Sequence, residues 1–162
     1  MSLDAAGLVL DLQEMRDQGH QSDAQLRKAV RTIAEADDRF DWVGIYLVNA
    51  EEEELWLHNY IGTNTEHARI PFGRGVCGRA HEEGVNLNIA DVTQEEEYLA
   101  CSADTRSEVV VLIRAGDDIF GQIDIDSHTE SAFGDEDEAA LTSVADKLAE
   151  QLAAERRSTA GS

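Results

Sequence analysis

The 162-residue chain carries 34 acidic residues against 13 basic ones, a net charge of −21, with 42% apolar residues and a single proline. That length fits one domain with a core of its own, and the composition excludes a disordered segment. The acidic balance excludes nucleic acid and anionic membrane surfaces as partners, because both would meet like-charge repulsion; an excess this large suits the molar salt of a halophile's cytosol.

No stretch reaches the roughly 18 consecutive apolar residues of a membrane span, and MSLDAAGLVLDLQEM lacks the basic start and long apolar run of a signal peptide, so a cytoplasmic location is expected. In that compartment Cys77 and Cys101, the two cysteines, read as packed thiols or a redox pair rather than a structural disulfide. With no CxxC and no HxxxH, zinc is a poor fit, and no metal or other cofactor is expected.

In chain order, residues 3–38 are helical. Leu8, Leu12 and Met15 fall at i, i+4, i+7 before a stop at Gly19, and Ser22 with Gln25 offers a capping box ahead of Leu26, Val30 and Ile33. Residues 42–48 and 55–61 read as a hairpin across an acidic turn, and 62–75 as a loop containing Pro71. A short helix over 76–83 closes at Gly84, and a short strand covers 86–90. The polar segment with Cys101 then leads into two apolar runs, 109–113 and 119–125, separated by a turn at 115–118. Asp124 and Asp126 share one face of the second run while Ile123 and Ile125 share the other. Asp135 with Glu138 caps a last helix over 135–155 with the stripe Leu141, Val144, Ala145, Leu148 and Leu152, and 156–162 is a tail. The order is that of an α+β domain over 1–155, with its sheet core at 40–127.

The motifs FDWVGIYL (40–47), RIPFGRGVCGRA (69–80), NIADV (88–92), YLACSADTRSEVVV (98–111) and FGQIDIDS (120–127) resemble those of the stand-alone GAF-domain enzymes that reduce free methionine-(R)-sulfoxide. The likeness covers roughly residues 20–153. It implies a GAF-like fold, a six-stranded mostly antiparallel sheet flanked by N-terminal and C-terminal helices, with a small closed pocket and a thiol chemistry recycled by a thioredoxin-like reductant. Residue by residue, Cys101 matches the family's nucleophile and Cys77 a second redox cysteine. Glu108, Asp124 and Asp126 match substrate-binding carboxylates, and Trp42 and Tyr46 match aromatic pocket residues. The chain departs from the family ten residues before Cys77, where His67 stands in place of a third cysteine. Cys77 is then the protein thiol left to resolve Cys101.

Three expectations follow. An even hairpin loop would set Glu108 opposite Ile125, so a pocket shared with the aspartates calls for an odd loop or a bulge; an odd loop with Gly116 or Asp117 left-handed is expected. The start of a helix should lower the Cys77 pKa, and the Cys77 and Cys101 Cα atoms should come within about 7 Å. Clustered carboxylates should keep a proton available for the sulfoxide oxygen while disfavouring a nearby thiolate, which Arg106, backbone N–H groups or the substrate ammonium would offset.

Other readings stay open at this level. The cysteines fit packed hydrophobes, the aspartates edge-strand charges, and the aromatics core. A non-catalytic small-molecule sensor, or a module forming a homodimer through the N-terminal helices, would use the same fold.

Overall fold

Three amphipathic helices account for one side of the molecule in the computed structural model, which describes residues 3–95 and 103–160. Helix α1 (Ala5–Asp17) buries Leu8 and Leu12, α2 (Ser22–Ala36) buries Leu26, Ala29, Val30 and Ile33, and α4 (Asp135–Ala160) buries Leu141, Val144, Ala145 and Leu148. These stripes lie at the helical spacing expected from the sequence. The last helix runs past Arg156, where a tail was expected, and the Arg156 guanidinium sits 4.4 Å from the centre of the Phe120 ring. A cation over an apolar ring extends the helix where the sequence shows only charge.

Both expected capping boxes are replaced. Ser22 is the first residue of α2, and its backbone N–H and hydroxyl both donate to the Glu155 carboxylate, at 2.7 and 2.6 Å. The unpaired N–H at this helix start is thus satisfied by α4, from the other end of the chain. At α4 the pattern is displaced by one residue, because Asp137 accepts from the Gly134 N–H at 2.9 Å while Glu138 accepts from Asn88.

The strands are β1 (Trp42–Asn49), β2 (Glu54–Ile61), β3 (Arg69–Pro71), β4 (Leu87–Ile89), β5 (Ser107–Ala115) and β6 (Asp118–Ser127), with α3 (Gly75–Glu83) between β3 and β4. They form one sheet in the order β3-β2-β1-β6-β5-β4, antiparallel at every described pairing. Strand β3 lies within the 62–75 stretch, where the sequence predicts a loop. Three residues with a proline at the end give no period-2 signal, and pairing with β2 makes this segment a strand.

One face of the sheet is covered by α1, α2 and α4, and α3 packs on the other. Val43, Ile45, Val109, Val111, Ile113, Ile123 and Ile125 point to the three-helix side. Trp42, Tyr46, Val110 and Leu112 point to α3. Strand alternation therefore sends Glu108, Asp124 and Asp126 to the α3 side, away from the large aliphatic core. Among the described residues no helix is long and apolar enough to cross a membrane.

Candidate active site

The register between β5 and β6 builds the acidic face. Ala115 pairs with Asp118, so the hairpin loop has two residues rather than the odd number expected, with Gly116 at φ +61°. A positive φ at the first loop position suits the primed turns that match strand twist. The parity change comes instead from a bulge. Ile113 pairs with Gly121 and Arg114 with Ile119, leaving Phe120 as the extra residue. Beyond it Glu108 faces Asp126, and Val110 faces Asp124. Strand β1 lies against β6 on the other side, setting Trp42 opposite Asp126 and Tyr46 opposite Gln122.

All three carboxylates are buried, at 4% exposure or less. Burial, and then the neighbouring charges of Asp124 and Asp126, push the Glu108 pKa well above the usual carboxylate range. Burial raises Asp124 as well, against hydrogen bonds from Glu108 and Cys77 that lower it. Both shifts favour the protonated form, so the set is disposed to hold a proton, as clustered carboxylates are.

Cys77 joins the set from α3. It is the third residue of that helix, and its thiol donates to Glu108 Oε2 at 3.8 Å. The helix start is pressed close to the chain before it, since a Cβ on Gly78 would lie 2.7 Å from the Pro71 carbonyl oxygen. Only a glycine lets the two backbones meet there. From below, Gln122 donates its side-chain amide to the Cys77 carbonyl at 3.0 Å.

The helix N-terminus does not lower this thiol. Burial first, then the charges of Asp124 and Glu108, push the Cys77 pKa well above its ordinary value. Arg106 is exposed, its charge acts on Asp91, and it is not among the groups that shift Cys77.

Tyr46, Ile70, Gly75, Val76, Cys77, Glu108 and Asp124 enclose a cavity of about 10 Å³, room for one water and far less than an amino acid. Asp124 Oδ1 and Gln122 Oε1 are buried without a hydrogen-bond partner among the described residues. The Tyr46 hydroxyl donates to the backbone carbonyl of His67 at 2.8 Å, so position 67 meets the pocket wall through its main chain. Trp42 stacks on Tyr60 with ring centres 5.5 Å apart, and its indole N–H donates to the Thr63 carbonyl.

The structure thus brings together Cys77, Glu108, Asp124, Asp126 and Tyr46, with Trp42 beside them on the same face. Cys101, expected as the nucleophile, lies outside the described residues, and so does its separation from Cys77. Arg79 of α3 meets Glu95 with its guanidinium at 2.6 Å. Sequence reasoning missed Gln122 and Arg79. Gln122 carried a signal, since its place two residues before Asp124 puts it on the same strand face.

Residues 22–152 match the GAF domain family model. Protein YtsP of Bacillus subtilis is 40% identical over 113 residues, covering 70% of this chain and 69% of the relative. The free methionine-R-sulfoxide reductase of Escherichia coli is 37% identical over 113 residues, covering 70% and 67%. The X-ray structure of free methionine-R-sulfoxide reductase from Neisseria meningitidis in complex with its substrate superimposes with a TM-score of 0.85 at 31% identity, over 95% of this chain and 91% of that one.

Proposed function

The chain belongs to the GAF domain family and is homologous to its free methionine-R-sulfoxide reductases, and from that premise we propose that it reduces free methionine-(R)-sulfoxide to methionine. The observation that carries this reading is a buried thiol in contact with a proton-holding set of carboxylates, Cys77 against Glu108 and Asp124.

The chemistry divides between two thiols. The Cys101 thiolate attacks the sulfoxide sulfur and Glu108 delivers its proton to the sulfoxide oxygen; the new sulfur–sulfur bond then breaks as the hydroxyl passes to the Cys101 sulfur, leaving methionine and a sulfenic acid on Cys101. Cys77, kept neutral by burial and its acidic neighbours, is a poor first attacker. Once Glu108 has lost its proton, however, it can accept the Cys77 proton across the contact they share. The Cys77 sulfur then attacks the Cys101 sulfur, the hydroxyl leaves as water with that proton, and a disulfide remains for a thioredoxin-like dithiol to reduce. Asp124 and Asp126 accept from the substrate ammonium, and Tyr46 and Trp42 wall its side chain. His67 takes no thiol role, which leaves the Cys101–Cys77 pair to complete the cycle.

The acidic surface suits cells with molar internal salt. Helices α1 and α2, where Leu10 is 70% exposed, supply the face for a homodimer.

The test is NADPH consumption with thioredoxin, thioredoxin reductase and each epimer of free methionine sulfoxide, in molar KCl. Turnover of the R epimer alone is expected. Cys101→Ser should abolish the first turnover, and Cys77→Ser should release one equivalent of methionine and then stall. The opposite pattern reverses the two roles, and normal turnover by both variants sinks the reductase reading.

A further inference from the structure

We propose that Cys77, Glu108 and Asp124 form a buried three-donor site for a divalent transition metal of the zinc class. One thiol sulfur and two carboxylate oxygens, carried by α3, β5 and β6, lie within 4.8 Å of one another. The sulfur stands 3.8 Å from Glu108 Oε2. Tetrahedral zinc, with bonds of about 2.3 Å to sulfur and about 2.0–2.2 Å to oxygen, sets its ligands about 3.5 Å apart. The donors therefore need only about 1 Å of side-chain adjustment.

Two further observations point to a small cation. Asp124 is 1% exposed, yet its Oδ1 has no hydrogen-bond partner among the described residues. The cavity that Cys77, Glu108 and Asp124 help to line has about 10 Å³ of room, enough for an ion or one water. The donor set also selects among cations. Calcium and magnesium take six or more oxygens and tolerate no thiolate, whereas zinc and cobalt accept sulfur with carboxylate at four-coordinate sites. Three protein donors leave the fourth position open. The ligands are separated by 31 and 16 positions in the chain, which is why no metal spacing is legible in the sequence.

The metal site stands on this geometry alone. Its consequence, that a bound metal closes the pocket to methionine sulfoxide, rests on the reductase reading.

The test uses the full-length chain, reduced and kept free of oxygen, titrated with Co²⁺ and then with Zn²⁺. One equivalent of Co²⁺ should give a thiolate-to-metal charge-transfer band in the near ultraviolet and the visible bands of four-coordinate cobalt, both removed by Zn²⁺. Cys77→Ser should lose the charge-transfer band. Glu108→Gln and Asp124→Asn should weaken binding by at least about tenfold. Glu82→Gln, in the exposed acidic cluster around His81, should leave it unchanged. A cobalt spectrum without thiolate charge transfer overturns the proposal. So does an equal loss in Glu82→Gln and Glu108→Gln, which marks adventitious binding to surface acids. If Cys77→Ser fails to fold, the Glu108→Gln and Glu82→Gln pair still decides. Free methionine-(R)-sulfoxide should bleach the band. A band that persists in a chain with normal reductase turnover overturns the competition, and an intact band in a chain without turnover overturns the function instead.

Discussion

The two faces of one sheet are buried equally and built oppositely. On β5 and β6, Val109, Val111, Ile113, Ile123 and Ile125 are almost fully buried beneath three helices. The residues alternating with them on the other face include Glu108, Gln122, Asp124 and Asp126, at similar burial. The aliphatic face gains about 25 cal/mol for each Å² taken from water, whereas the acidic face carries the cost of desolvated polar groups. Low exposure alone therefore does not identify a core. The partners of the buried atoms do, and on the acidic face those partners are other acids and a thiol.

Substitutions that separate chemistry from stability test this division most sharply. Glu108→Gln is expected to lower reductase turnover by about 10²–10⁴-fold, the usual worth of a positioned acid, while circular dichroism shows an intact fold. Ile123→Ala, one face away, should cost about 2–5 kcal/mol in denaturant unfolding yet leave the turnover of folded molecules unchanged. Equal effects of the two on activity would erase the distinction between the faces.

Salt separates the surface from both interiors. Screening relieves repulsion among exposed acids but barely reaches buried ones, so the melting temperature should rise steeply from dilute buffer to molar KCl. The stability difference between Glu108→Gln and the native chain should stay nearly constant across that range. A flat melting temperature would remove the case for adaptation to high salt.

The smallest effect is a pH difference. The folded-state pKa of Glu108 is raised, so above its unfolded value the native state binds more protons than the unfolded one. Its contribution to stability is then fully present below the ordinary carboxylate range and is lost as pH rises toward the folded value. Glu108→Gln should accordingly be more stable than the native chain at neutral pH, with the advantage shrinking as the pH falls to about 4. Thermal melts of the pair at several pH values would read it, and an advantage independent of pH would place the cause elsewhere.

Much of the fold was legible. The stripe in α4, the α3 stop at Gly84 and the alternation that divides Asp124 from Ile125 are local patterns with a fixed period, 3.6 or 2, and need no partner to be read. The candidate site was legible in its residue types through the family motifs, and Glu108 on the face of the aspartates was expected. The device that puts it there was misassigned. A two-residue turn with a bulge at Phe120 gives the same parity as an odd loop, and the sequence of the hairpin does not distinguish them.

By itself, then, the sequence determined which faces were apolar, where the strands turned, and that the surface would be acidic, because these follow from side-chain chemistry at fixed spacing. Only the tertiary structure decided that β3 is a strand, that Ser22 is tied to Glu155 rather than capping its own helix, and that the Cys77 thiol is raised rather than lowered. Each of these outcomes depends on a partner distant in the chain: β2 for β3, α4 for Ser22, and for Cys77 the two strands that bury it among their carboxylates. Pairing, hydrogen bonding and desolvation act through space, and a helix dipole read from local sequence is outweighed by burial, and then by acids brought close by the fold.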